Sequence, residues 1–326
     1  MEQLELANRR QGLFARHDTL LVAVSGGPDS MALLVLLLKL KKKYAWKISV
    51  AHLNHGLQKS AARMNVVVQK ICLEHSLPFY SKKTDVRASA RRHRLSLEDA
   101  GRRERYLFFK SAAKKCGASK VVTAHTLDDQ VETVLMRILR GSGSKGLAGI
   151  PFKRPLGSFT LLRPLLSSSK KDLLALVKEM KLEVVEDPSN LDFSFLRNRI
   201  RHQLLPLLRS RFNPQIDEQL STLQTLSRDA QNCVDTLAER SYKNCVRSQS
   251  RARVSLSAPA LKKLPQAVRS RILFMALSRL KGDAAGFGYA HIQSMLEVAF
   301  SPNARAETHL PHGLRARKKG GSLVIH

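Results

Sequence analysis

From the N-terminus as far as Lys181, short apolar runs in this 326-residue chain alternate with longer segments of helical period. Residues 19–24 (TLLVAV), 46–53 (WKISVAHL), 78–83 (PFYSKK) and 119–125 (SKVVTAH) read as strands, and 161–166 (LLRPLL) as a last one. Helical segments at 30–42, about 60–75, about 97–115, about 128–139 and 170–181 separate and follow them. Strand–helix alternation of this kind specifies a parallel sheet with helices on both faces. The expected fold is therefore α/β and Rossmann-like. Past Arg211 the alternation stops: one long helix is expected, then helices at about 266–280 and 289–299, and a small hairpin around Gly320 and Gly321. This divides the chain into 1–211 and a smaller, mainly helical 212–326.

The first strand runs into SGGPDS (25–30) and then into a helix. A turn at the carboxyl end of a parallel strand is where open α/β sheets bind ligands. The helix N-terminus behind it offers free N–H groups and a partial positive charge to an anion. Gly26 and Gly27 let the backbone bend and approach that anion closely, and Ser25 and Ser30 add hydroxyls. Asp29 would repel a phosphate held there, a conflict that Mg²⁺ between the two removes. The plainer alternative is a glycine turn joining strand to helix. No Gly-x-x-x-x-Gly-Lys-Ser/Thr run occurs, so this is not the usual NTPase loop.

Charge points to a polyanionic partner. Lys and Arg number 56 against 26 Asp and Glu, a formal net charge of +30. The excess is spread along the chain: residues 1–189 carry 34 basic against 17 acidic side chains, and residues 190–326 carry 22 against 9. Nucleic acid fits better than an anionic membrane, because no strongly basic amphipathic helix stands out. The longest apolar run, MALLVLLL (31–38), is far short of a membrane span, and MEQLELANRR does not resemble a secretory signal. The expectation is a cytoplasmic protein with no membrane partner. Cys72, Cys116, Cys233 and Cys245 include no Cys-x-x-Cys pair, which argues against zinc and against a dithiol.

SGGPDS resembles the Ser-Gly-Gly-x-Asp-Ser signature of the PP-loop ATP pyrophosphatases, which split ATP between its α and β phosphates and adenylate a carbonyl oxygen. Other stretches resemble the tRNA(Ile)-lysidine synthetases within that superfamily. AHLNHGLQ is similar to their His-x-Asn-His-Gly-Leu-Arg, with Gln58 in place of arginine. SLEDAGRRERY is similar to Glu-x-x-x-Arg-x-x-Arg-Tyr, here Glu98, Arg102, Arg105 and Tyr106. TAHTLDDQVET matches Ala-His-His-x-Asp-Asp-Gln-x-Glu-Thr, with Thr126 replacing the second histidine. LRGSGSKGLAGI, RPLL and EDPSNLDFSFLRNRIRHQLLP match later segments, and the resemblance covers about residues 19–210.

The resemblance implies an ATP-dependent ligase that joins free L-lysine to carbon 2 of the wobble cytidine in a CAU-anticodon isoleucine tRNA. It implies ATP held by Ser25, Gly26, Gly27, Pro28, Asp29 and Ser30, and Mg²⁺ at Asp29. Asp29, Asp128 and Arg102 are the expected catalytic set. Asp128, Asp129 and Glu132, the last two three apart on one helix face, make a seat for a cation: Mg²⁺, the ammonium of lysine, or both; the resemblance places lysine at Asp129 and Glu132. Helix-dipole capping by acids is the bland alternative. Arg105, Arg197, Arg199, Arg201, Lys318 and Lys319 are the expected RNA contacts; a solvated basic face is the alternative. In this reading 1–211 is catalytic and 212–326 binds tRNA.

GSGSKG (141–146) fits Gly-x-Gly-x-x-Gly but follows a helix rather than a strand, so it reads as a mobile basic loop, not a dinucleotide site. His52 and His55 are candidates to line the nucleotide pocket. With His125 they lack the spacing for zinc. Two rivals stand beside the ligase: a PP-loop tRNA thiolase, disfavoured by the cysteine spacing, and a catalytically inactive RNA-binding module, disfavoured by the intact SGGPDS and DDQVET. The sequence leaves the oligomeric state open, a homodimer included.

Overall fold

The computed structural model describes residues 1–54, 60–185, 192–282 and 286–326. His55 and Gln58 of the AHLNHGLQ stretch, and residues 186–191 of the EDPSNLD stretch, lie outside the described residues. The chain divides into two units, Met1–Thr225 and Leu226–His326.

The first unit runs α1 (Glu2–Gln11), β1 (Thr19–Ala23), α2 (Pro28–Tyr44), β2 (Lys47–Asn54), α3 (Ser60–Glu74), β3 (Phe79–Lys83), α4 (Val86–His93) and α5 (Leu97–Cys116). It continues with β4 (Lys120–Val122), α6 (Leu127–Leu139), α7 (Ser144–Leu147), β5 (Lys153–Leu156), β6 (Phe159–Leu162) and α8 (Lys170–Glu179). Beyond residue 191 come α9 (Leu196–Arg199), a π-helical turn (Ile200–Leu204), α10 (Leu205–Arg211) and α11 (Ile216–Cys245), which runs through the division between the units. The sheet order is β3-β2-β1-β4-β6-β5. Neighbours are parallel except for β5, which pairs antiparallel with β6.

Side-chain alternation along β1 builds two cores, one on each face. Leu20 and Val22 enter a cluster with α1, α2, α3 and α8, including Leu33, Leu37, Val68 and Leu173. Leu21 turns the other way, onto Phe108, Phe109 and Ala112 of α5. A third cluster joins Val131, Val134 and Leu135 of α6 to Ile200, Leu205 and Leu220, fastening the helical segment after residue 191 to α6.

The last strand differs from expectation. The ladder stops at Leu162, and Pro164, which carries no N–H, cannot extend it. β6 is parallel to β4 as expected, but it begins at Phe159 and is also the second arm of a hairpin whose first arm, β5, is an antiparallel strand at the edge of the sheet. The boundary also shifts. The expected division after Arg211 precedes α11, whereas Asp217, Leu220 and Gln224 at the start of α11 all have partners in the first unit.

The second unit contains β7 (Val246–Gln249), β8 (Val254–Ser257), α12 (Ala258–Lys262), α13 (Gln266–Lys281), α14 (Tyr289–Phe300), β9 (Glu307–His309), β10 (Arg315–Lys319) and β11 (Ser322–Ile325). The strands form an antiparallel sheet ordered β7-β8-β11-β10-β9. The expected hairpin is β10–β11, turned at Gly320 and Gly321 with φ of 52° and 70°. Positive φ at both turn residues is what a two-residue hairpin loop needs. The rest of the sheet was not expected. Among the described residues no helix is long and apolar enough to cross a membrane.

Candidate active site

SGGPDS joins β1 to α2 as a turn already folded on itself. Ser30 Oγ donates to the Gly27 carbonyl (2.9 Å) and accepts from the Ser25 N–H (3.1 Å). The Ser25 and Ser30 hydroxyls lie 3.1 Å apart. Gly26 has φ +91°, and a Cβ there would lie 3.2–3.3 Å from Met64 of α3, so the turn needs glycine on both counts. Gly27 caps α2 and Pro28 opens it, leaving the first turn's N–H groups without intrahelical partners. The backbone is thus set for an anion.

Asp29, in that first turn, is the anomaly. Its Oδ1 is buried and has no hydrogen-bond partner. Burial pushes its carboxyl up to about 6, opposed by the positive charge of Lys170 and reinforced by Asp129 and Asp128. The fold therefore brings the turn's carboxylate into the field of the acids that begin α6. No three His, Cys, Asp or Glu side chains among the described residues are grouped to hold a metal together. Mg²⁺ does not require that, since it is commonly held by one or two carboxylates plus substrate phosphates. An orphaned, buried carboxylate oxygen beside an anion turn suits such a cation.

At α6, Thr126 is the N-cap, and it forms a capping box with Asp129. Asp129 Oδ2 accepts from the Thr126 N–H (2.8 Å). Threonine in place of the histidine expected from resemblance therefore has a local structural role. Asp128 Oδ2 accepts from the Lys170 N–H (2.7 Å), tying α6 to the start of α8. Asp129 and Glu132 do share a face, and that face carries two arginines. Arg197 Nη2 donates to Asp129 Oδ1 (2.7 Å) and its Nε to Glu132 Oε2 (2.7 Å). Arg201 Nε donates to Glu132 Oε1 (2.5 Å) and its Nη2 to Oε2 (3.0 Å). The Glu132 side chain is 1% exposed, that of Asp129 19%. Burial pushes the Asp129 carboxyl up, but Arg197 and its other partners outweigh this and hold it below the usual carboxylate value.

The expected RNA contacts are thus placed unequally. Arg197 and Arg201 are turned inward onto carboxylates, whereas Arg199 is exposed. Arg102 and Arg105 are exposed on α5. In the second unit Lys318 donates to the Ser301 carbonyl, while Lys319 is exposed. His52 is buried: its Nδ1 lies 2.9 Å from the Val24 carbonyl, just ahead of the turn, and its Nε2 has no partner. Burial lowers the pKa of His52 and also that of His125, whose Nδ1 lies 3.0 Å from Thr123 Oγ1. Both imidazoles are neutral near pH 7.

The glycine-rich loop after α6 (141–146) is tied at its end, where Arg137 donates to the Gly146 carbonyl, and the residues that follow it are held by side chains. Gln130 donates to the Ile150 carbonyl and accepts from its N–H, both at 2.7 Å. Arg137 donates to the Gly149 carbonyl at 2.9 Å, and Gln224 Nε2 to the Ala148 carbonyl at 2.7 Å. Sequence reasoning missed Lys170 and Arg163. The sequence signs of Arg163 are a lone arginine inside the apolar LLRPLL and its place in the RPLL stretch that resembles the family.

Comparison with known proteins agrees with this geometry. A family model described as a PP-loop domain matches residues 2–208. A tRNA(Ile)-lysidine synthase of Geobacter sulfurreducens is 36% identical over 95% of this chain and 65% of its own length. That of Symbiobacterium thermophilum is 38% identical over 94% of this chain and 64% of its own. That of Clostridium acetobutylicum is 32% identical over 97% and 68%. The chain thus spans about two thirds of the length of these curated relatives. The U34-tRNA thiolase NcsA of Methanococcus maripaludis, solved with its [4Fe-4S] cluster, shares the fold. Its TM-score is 0.53 at 17% identity, covering 68% of this chain and 78% of that one. A PP-loop turn on a parallel sheet, with relatives aligned through both units, places this chain in the tRNA(Ile)-lysidine synthase family of PP-loop proteins.

Proposed function

We propose that this chain ligates L-lysine to carbon 2 of the wobble cytidine of a CAU-anticodon isoleucine tRNA, consuming ATP. The observation that carries the proposal is the extent of its relatives' similarity, which runs through 94–97% of the chain rather than through the PP-loop unit alone. In the first step the oxygen on carbon 2 attacks the α-phosphate of ATP and pyrophosphate leaves. In the second, the ε-amine of lysine attacks carbon 2 and AMP leaves with that oxygen.

The chain's own residues have separable tasks in this scheme. The turn 25–30 holds the pyrophosphate part of ATP with N–H groups and hydroxyls. Asp29 holds Mg²⁺, with Asp128 adding negative charge nearby. Bound there, Mg²⁺ supplies positive charge that offsets charge developing on the phosphates. Asp129 and Glu132 receive the lysine ammonium. Because Arg197 and Arg201 already occupy these carboxylates, lysine must share them or displace a guanidinium. Exposed Arg102, Arg105 and Arg199 face the RNA, and the second unit supplies further phosphate contacts, Lys319 among them.

Nucleoside analysis of isoleucine tRNA after incubation with the protein, ATP and lysine tests the proposal. Lysidine should replace the wobble cytidine, and one AMP should form per lysidine. A 2-thio product, or unchanged cytidine under conditions where the protein binds the tRNA, would overturn it.

A further inference from the structure

Arg163 is the largest of the fully buried side chains, 2% exposed. Its Nη1 donates to the Pro151 carbonyl at 2.7 Å, and its Nε has no partner. A guanidinium stays charged at any physiological pH, and burying one without an anion is costly. Among the described residues the strongest influences on Arg163 besides burial are the Tyr106 phenol and two more guanidiniums, Arg154 and Arg102. The Arg154 guanidinium lies 4.6 Å from the centre of the Tyr106 ring, and that of Arg102 lies 5.4 Å from it.

The fold makes this cluster deliberately. Arg102 and Tyr106 are one turn apart on α5; Arg154 comes from edge strand β5, and Arg163 follows β6. Burial pushes the Tyr106 phenol up, yet the guanidiniums Arg102, Arg154 and Arg163 outweigh it and hold the phenol below its usual value. Three positive charges therefore surround one aromatic ring. Stacking on a ring also pre-orders a guanidinium's donor fork, the geometry that suits a phosphate.

The cluster adjoins the acidic site without belonging to it. His125 feels both Asp129 and Arg163. Arg105, next to Tyr106, feels both Arg102 and Arg197. The ATP turn, in contrast, follows β1, and β4 and β6 separate β1 from the edge strand that carries Arg154. On the proposed function a base enters the acidic site, and the phosphodiesters flanking it need cationic partners close by, which this cluster offers. We infer that Arg102 and Arg154, stacked on Tyr106 and backed by the buried charge of Arg163, form a phosphate subsite holding a backbone phosphodiester of the RNA next to the reacting base. This rests on the proposed function only in taking RNA as the substrate.

The test uses the full chain and a transcribed CAU-anticodon isoleucine tRNA. R154Q should raise the tRNA Kd roughly 3–10-fold near 0.1 M salt, and should make the log–log salt slope shallower by about 0.7–0.9, one phosphate contact. R154K, which keeps the charge, should retain the wild-type slope. ATP affinity by equilibrium dialysis and the apparent lysine requirement should not change in either variant. An unchanged slope in R154Q, or a loss falling on ATP or on lysine instead, would overturn the subsite. Melting curves show whether R154Q is folded, and R154M, which removes the charge but keeps the apolar stem, carries the comparison if it is not. The slope is read from binding alone, so it judges the subsite whether or not lysidine forms.

Discussion

Asp29 holds the clearest conflict between stability and function. Its carboxyl is pushed up to about 6, mainly by burial, against about 3.9 in an unfolded chain. The folded state therefore binds this proton more tightly. Stability that is complete below pH 4 is lost as pH rises through about 6. Asp29→Asn removes the titration. In the absence of nucleotide the variant should be more stable than wild type at pH 8, by about 1–3 kcal/mol, with the gap narrowing below pH 6 and closing toward pH 4. It should also form no AMP. Melting temperatures across pH check the first part, and a gap that does not change with pH would show that Asp29 is not a strained carboxylate.

Glu132 and Asp129 separate in the same way. Glu132 is enclosed and bonded to two guanidiniums, so Glu132→Gln leaves both to share Asp129 alone and should cost about 3 kcal/mol. Asp129 is more exposed, and Asp129→Asn should mainly raise the lysine concentration needed. Urea midpoints together with lysine titrations distinguish the two. An unchanged lysine requirement in both variants would remove lysine from this pair.

At the scale of elements, what was legible followed periodicity. The SGGPDS turn, the strands before residue 126 and α6 stand where apolar spacing puts them, because each is apolar on the side it buries. Three features were not legible, each for a physical reason. α4 (VRASARRH) buries little beyond Val86 and Ala90, so it shows no apolar stripe. β8 (VSLS) is fully buried yet half serine, and its partner β11 is distant in sequence. The pairing of Arg197 and Arg201 with the acids of α6 joins residues more than 60 positions apart, which no local pattern encodes. The segment that ends the glycine loop adds a case of the same kind: residues 146–150 are held by Gln130, Arg137 and Gln224. That account is testable. Gly149 has φ +70°, and a Cβ there would meet Gln130 Oε1 at 2.5 Å and Gln224 Cγ at 2.7 Å. Gly141 has φ +71° and open space around it. Gly141→Ala should cost only the left-handed backbone term, about 1–2 kcal/mol. Gly149→Ala should cost more, because it also breaks the Gln130 clamp on Ile150. Equal denaturation midpoints for the two would mean the segment is not held as described.

For the whole molecule, the division inside α11 changes where the chain can be cut. Residues 1–225 carry 39 Lys and Arg against 20 Asp and Glu, and residues 226–326 carry 17 against 6. Every described residue of the candidate active site lies in the first stretch. A chain ending at Arg211 would lose three side chains that the first unit uses: Leu220, buried with the α6 cluster; Gln224, on the Ala148 carbonyl; and Asp217, on Arg209. One buried leucine and one internal hydrogen bond together are worth on the order of 3 kcal/mol, or roughly 6–12 °C in a unit of this size. A chain ending at Thr225 should therefore melt well above one ending at Arg211, and should bind ATP with the affinity of the full chain. Both should bind tRNA more weakly than the full chain and with a shallower salt slope, because each neutralised phosphate contributes about 0.7–0.9 to that slope. Equal melting of the two shortened chains would refute the packing of early α11 against the first unit. Full tRNA affinity and slope in the chain ending at Thr225 would show that residues 226–326 do not bind the RNA.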